Sequence, residues 1–174
     1  MTVEEYVQYE LKAECRHEYI NGQLFEMQGE KDINNEVAGL IYAFLLHLKS
    51  KGFQIYNHDL KVAIPGGVKY YYPDVFVTKE AKTEKNRYIK HEPELIVEVI
   101  SPSSRLTDTV DKYIDYSAIP SLKYYLVVEP EITYVTLHAK NEAGKCEATL
   151  YASLTDIVPL PLLELSLPLA EVYR

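Results

Sequence analysis

Two acids in this chain sit where acids are expensive. Asp74 opens the apolar run Asp74-Val75-Phe76-Val77 directly after Pro73, and Glu98 lies inside Leu95-Ile96-Val97-Glu98-Val99-Ile100. A carboxylate within a buried strand is tolerated when it is paired or binds a metal ion. The two are 24 residues apart, a spacing that suits one strand, a connection and a neighbouring strand. If the strands pair, both carboxylates can face one spot. A hard divalent cation such as Mg²⁺ or Mn²⁺ takes such oxygen ligands, and the backbone carbonyl of Val99 could add a third.

Lys112 follows Glu98 by 14 residues. Asp108, Lys112 and Tyr116 are spaced i, i+4, i+8 and so share one face of a helix. A lysine there could orient or deprotonate a metal-bound water and stabilise a pentavalent phosphate. The catalytic candidates are therefore Asp74, Glu98 and Lys112, and the metal-ligand candidates are Asp74, Glu98 and Val99. Each has a structural alternative: Asp74 as a turn cap, Glu98 as a paired strand carboxylate, Lys112 as a solvated helix residue. Tyr116 reads as packing plus a hydrogen bond. His17, His47, His58, His91 and His138 show no metal-ligand spacing such as HxxxH, and they read as surface or core residues.

The elements that must carry these residues can be placed in order. Thr2 and Glu5 fit a capping box for a helix over residues 2–12. Asn21-Gly22 between extended runs signals a type I′ hairpin. Asp32 can cap a helix over 33–51 whose apolar positions Ile33, Val37, Leu40, Ile41, Phe44, Leu45 and Leu48 keep helical spacing, with Gly52 as its stop. Residues 53–64 and 68–78 then alternate around Pro65-Gly66-Gly67 and read as one hairpin. The segment holding Lys79, Lys82, Lys85, Arg87 and Lys90 reads as a solvated hairpin connection, with a phosphate-facing loop as the alternative.

Glu94–Ser101, apolar on both faces, reads as a central strand. A loop and a helix over 107–118 follow, opened by Thr107 or Asp108, and then a second continuous apolar strand from Lys123. Residues 133–140 and 146–154 read as a hairpin, and a proline-broken apolar tail closes the chain with one helical turn. The expected class is α/β, a central mixed sheet flanked by helices, in a single domain over 1–174.

Composition bounds the rest. The 174 residues, 47% hydrophobic and 25% charged, suit a globular protein with a full core. No apolar run approaches the length of a bilayer span, and the acidic start lacks a signal-peptide core. Cys15 and Cys146 form neither a CxxC nor a disulfide framework, which suits a reducing cytoplasm. The net charge of −8 disfavours loose, general binding to nucleic acid, so any such contact needs metal ions or a local basic patch. The 16 tyrosines and the apolar tail from Pro159 to Tyr173 suggest a twofold homodimer.

The order of these pieces resembles a known family. Pro73-Asp74, Glu98-Val99-Ile100-Ser101-Pro102-Ser103, Asp108 to Lys112 and Tyr116 are similar to the pattern of the Uma-type restriction-endonuclease-like proteins, within the PD-(D/E)xK nuclease superfamily. Glu18-Tyr19-Ile20-Asn21-Gly22 resembles that family's YELxxG hairpin, and Tyr124 to Val128 resembles its EYWLVD strand, with Tyr125 in place of the tryptophan. The resemblance covers nearly the whole chain. It implies a restriction-endonuclease-like core and Mg²⁺-dependent phosphodiester hydrolysis on nucleic acid, DNA first, with Asp74 and Glu98 as ligands.

Ile100 stands where the superfamily has its lysine, and the resemblance points to Lys112 on the next helix instead. Asn34 stands where family members often carry a histidine, which questions a substrate contact by that helix. Glu18 matches a family position and is expected to act behind the ligands or in the hairpin. The competing reading is a catalytically idle member that keeps the fold as a dimeric interaction or regulatory module.

Overall fold

The computed structural model describes residues 1–27, 29, 31–83, 87–101, 105, 107–141 and 145–173, with the side chain of Thr107 excepted. Helix α1 (Val3–Glu10) starts as its sequence requires. Thr2 accepts from the Glu5 N–H, and the Glu5 carboxylate accepts from the Thr2 N–H. Strands β1 (His17–Ile20) and β2 (Gln23–Glu26) pair across Asn21-Gly22, both with positive φ, as a type I′ turn demands.

Helix α2 (Asp32–Leu45) tightens into a 3₁₀ segment (Leu46–Lys51) before Gly52, at φ 83°, ends it. Asp32 is not its cap. Lys31 holds that position without a side-chain bond, and Asp32 is the first helical residue, its Oδ1 accepting from the Ile33 N–H.

The expected single hairpin over 53–78 is corrected. Its two arms each break in the middle and divide between two sheets. Strand β3 (Gln54–Asn57) pairs with β6 (Val75–Thr78), while β4 (Lys61–Ala63) pairs with β5 (Lys69–Tyr71) around Pro65-Gly66-Gly67. The breaks have visible causes. His58 adopts φ 44°, and Pro73 lacks the N–H a continuous ladder would use.

The charged connection is also more than a solvated loop. Its end forms β7 (Ile89–Lys90), parallel to β4, and Lys90 is buried with its ammonium 5.8 Å from the Tyr56 ring centroid. Lys85 lies outside the described residues.

Strand β8 (Pro93–Val99) is central as expected. It runs antiparallel to β6 and parallel to β9 (Tyr124–Glu129), which pairs with β10 (Tyr134–Lys140) and then β11 (Cys146–Tyr151). The mixed six-stranded sheet has the order β11-β10-β9-β8-β6-β3, and a five-stranded sheet has the order β2-β1-β5-β4-β7. Between β8 and β9, Thr107–Asp111 forms a π-helical turn that runs into α3 (Lys112–Ser117). The chain closes with the hairpin β12 (Ile157–Leu160) and β13 (Leu165–Pro168) and the short helix α4 (Leu169–Val172).

The alternation of β8 decides which face each residue serves. Leu95, Val97 and Val99 join Val75 and Val77 against α2 and the C-terminal hairpin. Ile96 and Ile100 join Phe76, Tyr116, Ile119 and Tyr125 on the other face, together with Val62 and Tyr71 from the five-stranded sheet. Each fully buried Ile or Phe contributes about 1.5–3 kcal/mol of burial free energy. Leu160, Leu163, Leu167, Leu169 and Val172 of the tail are consumed in the α2-side core, so the apolar character that suggested a dimer surface is largely spent within the chain. Among the described residues no helix is long and apolar enough to cross a membrane.

Candidate active site

The β6·β8 register sets Val75 opposite Val97 and Phe76 opposite Ile96. Carried one step further it sets Asp74 opposite Glu98, and alternation puts both on the α3 face. Directly opposed residues have Cβ atoms about 4.5–5.5 Å apart. Asp74 does structural work there as well. Its Oδ2 accepts from the Val99 N–H at 2.6 Å, a side chain standing in where the β6 ladder has ended. Its Oδ1 is 3.6 Å from His58 Nδ1, and burial lowers the His58 pKa below the ordinary value.

Lys112 enters from above this pair. The π turn brings Asp108 and Lys112 to the same side, with Asp108 Oδ1 3.2 Å from the Lys112 Nζ. Asp108, one of the two residues expected to open this helix, instead lies within the π turn and faces the lysine. The ammonium donates to Glu98 Oε1 at 3.2 Å and lies 3.1 Å from Glu18 Oε1. Three carboxylates from three elements thus surround one buried ammonium: Glu18 from β1, Glu98 from β8 and Asp108 from the π turn. Tyr116 donates to the same Glu98 oxygen at 2.9 Å, and Tyr125 donates to the Asp108 carbonyl at 2.7 Å. The Tyr71 ring lies 5.5 Å from the ammonium, within cation–π range.

The cluster is nearly closed to water. Glu98 is 3% exposed, Asp108 3%, Asp74 5% and Lys112 7%. Burial drives the Glu98 carboxyl well above the usual carboxylate range. Lys112 opposes that shift, and Asp108, Asp74 and Glu18 add to it. For Lys112, burial acts to lower the ammonium's pKa, but Glu98, Glu18 and Asp108 together outweigh it and leave it well above the ordinary lysine value. Tyr116 and Tyr125 are raised by burial first and by Glu98 next, so both are neutral donors.

The donor set fits a hard divalent cation. Among the described residues Glu18 Oε1 and Asp108 Oδ1 are buried without a hydrogen bond, although each lies within ion-pair distance of the Lys112 ammonium. Oxygen ligands in excess of the local positive charge suit Mg²⁺ or Mn²⁺. The Val99 carbonyl is already engaged by Asn34 Nδ2 at 3.3 Å, which also reaches the Ile100 carbonyl at 3.3 Å. One lone pair of Val99 remains.

Asn34 is buried and ties α2 to the end of β8, so in this chain it acts on the strand's backbone. Glu18 is more central than expected, being a direct partner of Lys112. His58, Tyr71 and Tyr125 were not singled out as site residues. Their signals, a histidine in a strand break and tyrosines among many, do not stand out along a sequence.

This arrangement, a mixed sheet presenting two opposed acids to a lysine-bearing helix, is that of a restriction-endonuclease-like protein. Residues 3–170 match the Uma2 family, described as putative restriction endonuclease, and the chain belongs to that family. It is similar to two uncharacterized proteins of Synechocystis sp. One, slr1290, is 32% identical over 175 residues, covering 100% of this chain and 92% of the relative. The other, sll1609, is 30% identical over 132 residues, covering 74% and 75% respectively. Its fold is shared with the crystal structure of a putative nuclease belonging to DUF820 from Anabaena variabilis, at TM-score 0.80 and 16% identity, covering 99% of this chain and 97% of that one.

Proposed function

We propose that the protein is a metal-dependent nuclease that hydrolyses phosphodiester bonds in nucleic acid, DNA first. The observation that carries this reading is the meeting of Asp74 and Glu98 on one sheet face with the Lys112 ammonium inside a shell of buried carboxylates. Asp74, Glu98 and the free lone pair of the Val99 carbonyl are the groups that would hold Mg²⁺ or Mn²⁺. A bound divalent ion supplies a Lewis acid for the phosphoryl oxygen and lowers the pKa of a coordinated water.

The chain's own residues do the remainder. Three carboxylates at 3.1–3.2 Å hold Lys112 as a cation, so its role is to stabilise negative charge developing on the phosphate and not to abstract a proton. Tyr116 keeps Glu98 Oε1 oriented by its O–H donor. The Asn34 bonds hold the Val99 and Ile100 carbonyls in place.

A second reading, an idle nuclease-like module, is favoured by a specific observation. The cluster is nearly buried, and basic side chains on flanking elements are matched by acids: Lys69 with Asp115 at 2.7 Å, Arg16 with Asp59 at 3.2 Å, and Arg105 with Glu129. The experiment that separates the two incubates supercoiled plasmid and single-stranded RNA with the protein in Mg²⁺, in Mn²⁺ and in chelator. Nuclease function gives cleavage that needs the ion and disappears in Asp74→Ala. A folded protein that cleaves neither substrate with either ion makes the idle module the correct reading.

A further inference from the structure

Cys15, His17 and Glu26 each present a ligand atom, a sulfur, an imidazole nitrogen and a carboxylate oxygen, that lies within 4.8 Å of the other two. Among the described residues this is the group of three such ligand types that comes so close. We propose that these three residues form a second metal site, for a borderline divalent ion of the Zn²⁺ class, distinct from the carboxylate cluster around Lys112.

Strand geometry brings the site together and separates it from the first one. His17 and Glu26 are directly opposed across the β1·β2 hairpin, and Cys15 lies in the bend that enters β1. Successive side chains on a strand point to opposite faces. Glu18 points to Lys112, and His17 points away from it.

The imidazole is held as a ligating histidine is held. Glu10, the last residue of α1 and almost fully buried, accepts from the His17 N–H through Oε1 at 2.9 Å and meets His17 Nδ1 through Oε2 at 3.1 Å. A proton on Nδ1 facing Glu10 leaves the lone pair on Nε2 for a metal, the carboxylate–histidine–metal pattern that fixes tautomer and ring orientation. Glu10 is fixed in turn. Tyr72 donates to its Oε1 at 2.8 Å, and the buried Lys61 ammonium donates to the Tyr72 oxygen at 2.9 Å. This buried chain from Lys61 to His17 orients one ring edge in a hairpin that carries no residue of the Asp74–Glu98 pair.

The donor set selects the ion. A thiolate and an imidazole favour Zn²⁺ over the hard ions that suit Asp74 and Glu98. Bonds of about 2.0–2.3 Å put tetrahedral ligand atoms about 3.4–3.6 Å apart, so the three atoms must draw together by about 1 Å. Both residues that must move are exposed, Cys15 in a bend and Glu26 at the end of β2, and their side chains can rotate to do so. Three protein ligands leave a fourth position for water.

The test titrates the reduced, metal-free full chain with Co²⁺ and then Zn²⁺. One equivalent of Co²⁺ is expected to give a near-ultraviolet thiolate-to-cobalt absorption that Zn²⁺ bleaches. Cys15→Ser, a change at an exposed side chain, should abolish that absorption, while Cys146→Ser and Asp74→Ala should keep it. Glu10→Gln, checked for folding by circular dichroism, should keep the absorption and weaken Zn²⁺ binding by about 10–100-fold, as loss of a ligand-orienting carboxylate does. Absence of the absorption in the parent chain, or its persistence in Cys15→Ser, overturns the proposal. Neither outcome bears on the nuclease reading, which depends on Asp74 and not on Cys15.

Discussion

Replacing Lys112 by Met keeps most of the unbranched apolar stem and removes the ammonium, with its charge and its hydrogen bond to Glu98. The charge has three partners at 3.1–3.2 Å: Glu18, Glu98 and Asp108. At an effective dielectric constant of about 20, each contact is about 5 kcal/mol of Coulomb attraction before the cost of desolvating the ions. The net effect is smaller, because the ammonium was itself taken out of water. Breaking a buried ion pair by removing one partner destabilises by about 3–5 kcal/mol, since it strands the other charge. For a chain of 174 residues that is about 6–20 °C in Tm.

A lysine that acted only on a metal-bound water and a phosphate would, when removed, cost most of the rate and leave the fold nearly intact. The geometry argues that the fold suffers too. A divalent ion held by Asp74 and Glu98, beside the stranded acids, would supply positive charge in place of the ammonium, so Mg²⁺ at about 10 mM should recover part of the loss by mass action. Thermal and urea unfolding of parent and Lys112→Met, each with Mg²⁺ and with chelator, measure both effects. A variant within about 1 kcal/mol of the parent in chelator would refute the view that these acids depend on the ammonium.

Glu98→Gln keeps the acceptor for Tyr116 and Lys112 but cannot ionise. Because the folded-state pKa of Glu98 is raised above the ordinary value of 4.5, ionisation opposes folding increasingly as pH climbs above 4.5 toward the folded pKa. In chelator the variant should therefore match the parent below the ordinary carboxylate range and gain on it as pH rises to neutrality, read from urea midpoints against pH; a parent that gains instead contradicts the assignment. If the chain cleaves nucleic acid, the same Lys112→Met variant, assayed below its Tm, should lose roughly a hundredfold or more in rate, the range for one charge-stabilising group, and equal rates would remove Lys112 from the chemistry. Asn34→Ala should destabilise by about 1–3 kcal/mol by leaving buried carbonyls without a donor, measured by urea unfolding. Gly22→Ala, at φ 89°, should cost about 1 kcal/mol through left-handed strain alone, because the added Cβ meets nothing closer than the Met1 carbonyl at 3.7 Å.

What a sequence shows of such a site depends on how the residues are brought together. Asp74 and Glu98 stood out because each interrupts or opens an apolar run, but it is the β6·β8 register that sets them on one face. Lys112 was legible through helical spacing from Asp108 and Tyr116. These signals are local, each contained within a single element. The split of residues 53–78 between two sheets was not legible, because both arms keep the strand period across the break. Only His58 with its positive φ and the proline before Asp74 mark it.

That break also matters to the site. A ladder continued through Pro73 would have held Asp74 as one more paired residue opposite Glu98. Interrupted at Pro73, the strand lets the Asp74 carboxylate turn in and take the Val99 N–H itself. It also sends β4 and β5 into the sheet that carries Glu18 on β1. The second sheet then lies over the first with α3 beside it, which is how a carboxylate 80 residues upstream of Glu98 comes within 3.1 Å of the same lysine. The cage is thus a product of sheet crossing, and each acid in it comes from a chain segment whose neighbours carry no mark of the others.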